Sequence, residues 1–192
     1  MSKVEQSQLL TEEEYLEGEN LSDVKHEYID GRVYAMVGAT WGHNTISGNI
    51  FRKMGNHLEG KPCKPGTSDV KIKVENNFYY PDVLVDCSNT MNRKSLFTEN
   101  PTIIVEVLSD STQTYDRKGK FDAYRNIPSL EEYVLVEQNL ICVYIFRRDQ
   151  NWHGEIYSKG EKVTFESIGL TLPIEEIYRD VDFEEFKEKN EA

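Results

Sequence analysis

The first third of the chain combines a helix-capping signal, a hairpin signal and a helical repeat of apolar residues. Thr11 followed by Glu14 has the spacing of a capping box, which predicts a short helix that opens near Thr11. Two strand-like runs flank Asp30 and Gly31, a dipeptide that strongly favours a two-residue hairpin turn. A repeat with a spacing of four then predicts an amphipathic helix that carries Ile46, Ile50, Met54 and Leu58 on one face.

The remaining two thirds of the chain are mostly strand-like. The run from Thr102 to Leu108 is apolar at most positions, which is typical of a central strand buried on both faces. A helix from Thr114 to Asn126 should follow, because Pro128 restricts the residue before it and interrupts a helix. Further patterns predict strands at 70–74, 81–85, 132–137 and 140–146 and near Ile156 and Val163, and a closing helix that begins at Pro173.

This order of helices and strands is typical of an α/β protein. It predicts a sandwich with a central mixed β-sheet flanked by helices, built as a single domain over residues 11–181. A disordered N-terminus, 1–10, is expected before this domain, and an acidic C-terminal tail, 182–192, after it. The length of 192 residues suits one domain with a sizeable core.

The composition narrows the class of protein and its expected compartment. Apolar residues make up 38% and charged residues 29% of the chain, which is ordinary for a globular protein and excludes general disorder. The sequence shows no apolar run of the roughly 18 residues that a membrane helix needs, and no signal-peptide core near Met1. Cys63, Cys87 and Cys142 are odd in number and lack C-x-x-C spacing, which argues against a disulfide framework and favours a reducing, cytoplasmic compartment.

The formal net charge of −12 is concentrated at the two ends of the chain. Residues 1–19 hold six acidic and one basic residue, and residues 171–192 hold eight acidic and three basic residues. The middle is therefore close to neutral, so net charge disfavours a nucleic-acid partner only weakly. Its basic residues form four clusters, which we interpret as solvated surface: Lys71/Lys73, Arg93/Lys94, Arg117/Lys118/Lys120 and Arg147/Arg148.

Glu106 is the most informative residue in the sequence. It interrupts an otherwise apolar strand, where an unpaired carboxylate would cost several kcal/mol. Asp82 opens another predicted strand 24 residues earlier, a gap that suits two neighbouring strands joined by a loop. Two carboxylates at one place raise each other's pKa unless a cation lies between them, and Mg²⁺ is a natural occupant of such a site.

The helix after the Glu106 strand supplies the third candidate group. Asp116, Lys120 and Tyr124 are spaced by four and share a face, from which Lys120 can reach the two carboxylates. Lys118 points elsewhere and is the second choice. The roles of His43 and Asp69 stay open on the sequence, and we interpret His26, His57 and His153 as surface residues.

These residues lie within a longer pattern that resembles the PD-(D/E)XK nuclease superfamily and, more closely, the Uma-two family of restriction-type endonucleases. The resemblance runs from about residue 10 to about residue 180. It rests on the order and spacing of short motifs: EYIDG at 27–31, His43-Asn44, Ser68-Asp69, YPD at 80–82, VEVLS at 105–109, Ser111-Thr112, 116–124 around Lys120, and EYVLV at 132–136.

The resemblance implies a restriction-endonuclease-like core and metal-dependent hydrolysis of phosphodiester bonds in DNA. Asp82 and Glu106 would be the metal ligands, with the carbonyl oxygen of Val107 as a third. Glu27 matches an additional N-terminal acid of the superfamily and would hold the metal through water. The expected cofactor is Mg²⁺, with Mn²⁺ as its substitute.

The sequence departs from the superfamily pattern at Leu108. Many members carry their lysine two residues after the glutamate, and Lys120 is here the expected relocated lysine. By analogy with nucleases that cut both strands, we expect DNA as partner, a homodimer and no membrane association.

Three functional hypotheses follow from these residues. The first is a Mg²⁺-dependent endonuclease, and the second is a catalytically weak nuclease-fold protein that acts as a binding or regulatory module. The third is a structural protein in which Glu106 pairs with Lys120 without a metal. Glu106→Gln should abolish activity in the first case, and should lower stability by about 3 kcal/mol in the third.

Overall fold

In a computed structural model, the strands form two mixed β-sheets and one separate hairpin. The structure describes residues 9–89, 92, 94–109 and 115–183. Most of the expected disordered N-terminus and acidic tail therefore lies outside the described residues. None of the described helices is both long enough and apolar enough to cross a membrane.

Within the described residues, helices lie before and between the strands. Helix α1 covers Glu12–Glu19, and its predicted capping box is confirmed, since the Thr11 hydroxyl accepts a hydrogen bond from the Glu14 amide. Helix α2 covers Trp41–Leu58 and carries the predicted apolar face. A π-helical turn, Asp116–Lys120, continues into a short helix α3, Phe121–Tyr124, and the predicted start at Thr114 lies outside the described residues.

The smaller sheet has five strands, in the order β2 (Arg32–Ala35), β1 (His26–Ile29), β5 (Asn77–Tyr79), β4 (Lys71–Val74) and β7 (Phe97–Thr98). The predicted hairpin joins β1 and β2. Asp30 and Gly31 both have positive φ, 50° and 79°, as a type I′ turn requires.

The larger sheet has six strands, in the order β11 (Gly154–Ser158), β10 (Cys142–Arg147), β9 (Glu132–Glu137), β8 (Pro101–Leu108), β6 (Val83–Asp86) and β3 (Lys64–Thr67). All eight residues of β8 are buried, which confirms the predicted central strand. It pairs antiparallel with β6 and parallel with β9, so the sheet is mixed.

The two faces of the larger sheet are covered by different elements. Alternate β8 residues pack against α2 on one face, among them Val105. Those on the opposite face pack against α3 and the smaller sheet, among them Ile104 and Leu108. The protein is thus a mixed α/β structure, but a second sheet covers the face where the sequence predicted helices.

A hairpin includes Pro173, the residue at which the sequence predicted that a closing helix begins. Strands β12 (Lys162–Phe165) and β13 (Leu170–Pro173) pair antiparallel, with a 3₁₀ turn at Glu166–Ile168 between them. Because Pro173 belongs to β13, the described residues after it form a second 3₁₀ turn, at Ile174–Glu176, in place of the predicted helix.

Cys63 and Cys87 form a disulfide, so the prediction from the odd cysteine count was wrong. The two residues face each other across β3 and β6, one position beyond the pair formed by Lys64 and Asp86. Cys142 is a separate buried thiol. The cysteine count therefore no longer supports a reducing compartment.

Three of the basic clusters each contain a buried cation, contrary to expectation: Lys71, Lys120 and Arg147. Lys71 is 5% exposed and donates a hydrogen bond to the Tyr80 hydroxyl. Arg147 is 2% exposed and donates from Nε to a Glu132 carboxylate oxygen at 3.0 Å. Hydrogen-bonding partners allow these cations to be buried.

Candidate active site

Strands β6 and β8 bring Asp82 and Glu106 to one place, as their spacing predicts. Val83 lies opposite Val105 in this antiparallel pair, so the residues beside them, Asp82 and Glu106, are neighbours. The Asp82 carboxylate accepts a hydrogen bond from the Val107 amide at 2.7 Å, which fixes its orientation. The convergence is confirmed, while the catalytic role of the two carboxylates stays a prediction.

Lys120 lies at the centre of a cluster of acidic side chains. Its Nζ is 3.0 Å from a Glu27 oxygen, 3.2 Å from a Glu106 oxygen and 3.3 Å from Asp116 Oδ1. All four residues are buried. Lys118 in the same turn is exposed, so the preference for Lys120 agrees with the geometry.

The π-helical turn places Lys120 and Asp116 side by side. Turns of this kind are rare and often lie at functional sites. The Tyr133 hydroxyl donates to the carbonyl oxygen of Asp116 at 2.9 Å and ties the turn to β9. A side chain at Gly119 would collide with the Tyr115 ring, so glycine permits the close approach within the turn.

The surroundings of Glu106 act on its pKa in opposite directions. Burial raises the pKa of this carboxyl group well above its usual value; Lys120 opposes the rise, and the other acidic side chains increase it. The Tyr124 hydroxyl donates to the same Glu106 oxygen, at 3.1 Å, as Lys120 does.

Lys120 is held in its charged form by the same cluster. Burial alone would lower its pKa, but Glu106, Glu27 and Asp116 together raise the pKa well above its usual value. Glu27 comes from β1 of the smaller sheet and also accepts a hydrogen bond from the Tyr80 amide at 3.2 Å. The two sheets therefore both contribute to the cluster.

His43 contacts the same Asp82 oxygen that accepts the hydrogen bond from the Val107 amide. Its Nε2 lies 3.3 Å from Asp82 Oδ2, and its side chain is 13% exposed. Burial lowers the pKa of this imidazole, but hydrogen bonds to Asp82 and to the Val107 backbone reverse the shift and raise it overall. Asp69, whose role the sequence left open, does not belong to this cluster, since it is exposed and pairs with Lys25.

A cavity of about 760 Å³ opens over these residues. Asp82, Glu106, Asp116 and Lys120 line it, together with the N-terminal part of α2. A helix N-terminus carries a partial positive charge, which is suited to an anionic group.

Comparison with known proteins assigns the chain to a family. A profile of the Uma2 family, described as "Putative restriction endonuclease", matches residues 12–175. The chain belongs to the Uma2 family. Among its relatives are two proteins of Synechocystis sp., "Uncharacterized protein slr1290" and "Uncharacterized protein sll1609".

Both relatives match nearly their whole length. The first is 38% identical over 91% of this chain and 94% of its own, and the second is 30% identical over 79% and 89%. The fold of this Uma2 chain is similar to that in a "crystal structure of a putative nuclease belonging to DUF820" from Anabaena variabilis. That match has a TM-score of 0.74 at 17% identity and covers 88% of this chain and 97% of the other.

The donor set of this Uma2 site suits an open site for a hard cation. Within the described ranges, no three His, Cys, Asp or Glu side chains form a compact metal-binding group. Mg²⁺, however, is usually held by one or two carboxylates with water and substrate phosphate completing its shell. Asp82 and Glu106 supply two carboxylates, and the buried Asp116 Oδ1 has an ion pair with Lys120 at 3.3 Å but no aligned hydrogen bond from the described residues.

His43 and Tyr133 are the site residues that sequence reasoning left open or missed. His43 lies three residues before Ile46 and seven before Ile50, so it shares the buried face of α2, and this periodicity could have placed it inward. Tyr133 belongs to an apolar strand, where nothing distinguishes it from a core residue. Its contact with the π-helical turn could be found only from the fold.

Proposed function

We propose that this Uma2 family member is a Mg²⁺-dependent endonuclease that hydrolyses phosphodiester bonds in DNA, with Mn²⁺ as a substitute cofactor. One observation carries the proposal. Glu27, Glu106 and Asp116 surround Lys120 within 3.3 Å, and Asp82 lines the same cavity. Lys120 balances one of these charges, so the surplus would attract a divalent cation and, without one, repel phosphate.

Each side chain has a role that its position supports. Asp82 and Glu106 would bind the cation, with the carbonyl oxygen of Val107 as a further ligand. When bound, the cation supplies Lewis-acid polarisation of the phosphate and a bound water of lowered pKa. Glu27 contacts Lys120 directly, so it acts as a positioning residue that keeps the ammonium group beside Glu106.

Lys120 is suited to stabilise charge during hydrolysis. A water oxygen forms a bond to phosphorus and gives up one proton to a phosphate oxygen or to solvent, the bond from phosphorus to the leaving sugar oxygen breaks, and that oxygen takes up a proton. The Lys120 ammonium group would donate a hydrogen bond to the attacking water or to a phosphate oxygen as negative charge develops. Its three carboxylate contacts fix the group before substrate arrives, which lowers the cost of ordering it.

The expected restriction-endonuclease-like fold and homodimer belong to the same proposal. A two-fold symmetric dimer would present two sites to the two strands of a duplex. Light scattering on the purified chain measures the assembly directly, and a monomer at working concentration would contradict this part of the proposal.

The decisive experiment compares wild type, Asp82→Asn and a matched control, Asp69→Asn, whose carboxylate is exposed outside the cavity. Supercoiled plasmid, single-stranded DNA and single-stranded RNA are the probes, each with Mg²⁺, Mn²⁺ or a chelator. We expect cation-dependent cleavage by wild type and Asp69→Asn and none by Asp82→Asn. Equal cleavage by Asp82→Asn, or none by wild type with either cation, would contradict the proposal.

A second candidate function is a binding or regulatory module that retains the fold and cuts weakly or not at all. Leu108 favours it, because this residue is buried in the core at the position where the superfamily often carries lysine. Calorimetric titration of Mg²⁺ and of DNA in the same samples separates the two. Binding of both without cleavage would support the module.

A further inference from the structure

His43 lies beside the Asp82 carboxylate and the Val107 backbone, two groups that the proposed function assigns to the cation. Helix α2 begins with Thr40 as its cap, whose hydroxyl accepts a hydrogen bond from the His43 amide at 3.2 Å. This cap sets the start of the helix, so the His43 side chain leaves its first turn toward β6 and β8. The imidazole then contacts Asp82 and the backbone of Val107.

The distance between His43 Nε2 and Asp82 Oδ2 is close to that between two neighbouring ligand atoms of one cation. His43 Nε2 and Asp82 Oδ2 are 3.3 Å apart. In a six-coordinate shell with bonds of about 2.1 Å, adjacent ligand atoms lie about 3 Å apart. One cation could bind both atoms if it replaced the hydrogen bond between them and the imidazole nitrogen gave up its proton. The Val107 amide donates to the same Asp82 oxygen and keeps the carboxylate oriented.

We propose that His43 is a nitrogen ligand of the divalent cation, next to Asp82, and that it shifts the preference of the site from Mg²⁺ toward Mn²⁺ and other first-row transition cations. The inference rests on the cation site of the proposed function. Imidazole nitrogen suits transition metals, whereas Mg²⁺ prefers oxygen ligands in near-ideal octahedral geometry. Mn²⁺ would then be the better cofactor.

The proposal also agrees with the different surroundings of Glu106 and Asp82. Glu106 Oε1 already accepts hydrogen bonds from Lys120 and Tyr124, deep in the core. Asp82 is more accessible, with 18% of its side chain exposed, and His43 is beside it rather than beside Glu106. A cation bound by Asp82 and His43 could take the other Glu106 oxygen as its further carboxylate ligand and leave the hydrogen bonds at Oε1 intact.

The test measures metal binding rather than cleavage. Mn²⁺ and Mg²⁺ are titrated calorimetrically into wild type, His43→Ala and His153→Ala, the last a control on an exposed turn outside the cavity. We expect His43→Ala to weaken Mn²⁺ binding by about tenfold or more and Mg²⁺ binding by less than about threefold. An equal loss for both cations, or no loss, would overturn the proposal.

A spectroscopic measurement on the wild-type protein does not depend on whether the variant folds. Electron spin-echo spectra of the Mn²⁺-loaded chain should show coupling to a coordinated ¹⁴N, replaced by a ¹⁵N pattern when histidine alone is isotopically labelled. Bound Mn²⁺ without this coupling would refute the role of His43 and leave the proposed function standing. Absence of binding by either cation would refute both.

Discussion

Replacing Lys120 with methionine would remove the cation that three buried carboxylates share. Glu27, Glu106 and Asp116 all lie within 3.3 Å of its ammonium group, and the lysine is 6% exposed. Methionine keeps much of the side-chain volume but none of the charge. The variant therefore isolates the electrostatic contribution of this one group to stability.

The expected loss of stability follows from the burial of the partners. Removing one member of a buried ion pair typically costs about 3–5 kcal/mol, because the remaining charge is left uncompensated. Glu106 can relieve part of this cost by taking up a proton, since burial already raises its pKa. We therefore expect the free energy of unfolding to fall by about 3 kcal/mol at pH 8, which corresponds to a melting temperature lower by about 6–12 °C.

The loss should depend on pH in a defined direction. Without Lys120, the folded-state pKa of Glu106 rises further above its unfolded value of about 4, because Lys120 is the neighbour that lowers it. Such a group contributes stability that is present below the unfolded pKa and is lost as the pH rises through the folded pKa. The deficit of Lys120→Met should therefore be smaller at pH 5 than at pH 8.

Urea unfolding followed by far-ultraviolet circular dichroism, without added metal, measures both effects. Lys118→Met is the matched control, because Lys118 is exposed in the same turn and should change stability by less than about 0.5 kcal/mol. If Lys120→Met stays within about 1 kcal/mol of wild type at pH 8, or shows the same deficit at pH 5, the electrostatic account of the cluster is wrong.

Glu106→Gln separates a structural ion pair from a functional carboxylate. The glutamine oxygen can still accept hydrogen bonds from Lys120 and Tyr124, and Glu27 and Asp116 remain to balance the lysine. We expect a stability loss of about 1 kcal/mol, below the figure of about 3 kcal/mol for a broken buried pair. A loss of the full size in urea unfolding would instead favour a structural role.

Three further predictions concern the stability of the fold. Arg147→Met should cost about 3 kcal/mol in urea unfolding, because Glu132 is 1% exposed and would lose its cation; a loss below about 1 kcal/mol would contradict this. Reduction of the Cys63–Cys87 bond, which spans 24 residues, should lower the free energy of unfolding by about 3 kcal/mol in thermal melts with and without a reductant. Burial raises the pKa of several tyrosines above their unfolded value of about 10, so stability should fall as the pH rises above 10, and phenolate absorbance should increase together with unfolding rather than before it. The tyrosines in question are Tyr79, Tyr124, Tyr133 and Tyr178.

Local signals predicted the elements that local chemistry determines. The capping box at Thr11 and the turn at Asp30 and Gly31 need only their own neighbours, and both form as expected. The central strand was recognisable because burial on both faces requires a continuous apolar run. Glu106 was identified for the same reason, since it breaks that run.

Long-range pairing explains most of what the sequence could not predict. Strand β3 reads Lys-Pro-Gly-Thr, which lacks strand propensity and forms only because β6 offers it an edge. The disulfide depends on this pairing, so it was equally hidden. Arg147 looks like a surface cation until Glu132 and Glu155 are brought beside it by neighbouring strands.

Lys120 and a lysine at position 108 would approach Glu106 from different elements of the fold. Ile104, Glu106 and Leu108 alternate onto the face of β8 that packs against α3 and the smaller sheet. A lysine at position 108 would have to turn out of this apolar cluster to reach the carboxylate beside it. Lys120 lies in the π-helical turn above that face, and its Nζ is 3.2 Å from a Glu106 oxygen. Leu108 meanwhile is part of the buried core. Under the proposed function, the departure at Leu108 therefore changes the element that delivers the ammonium group and keeps its position beside Glu106.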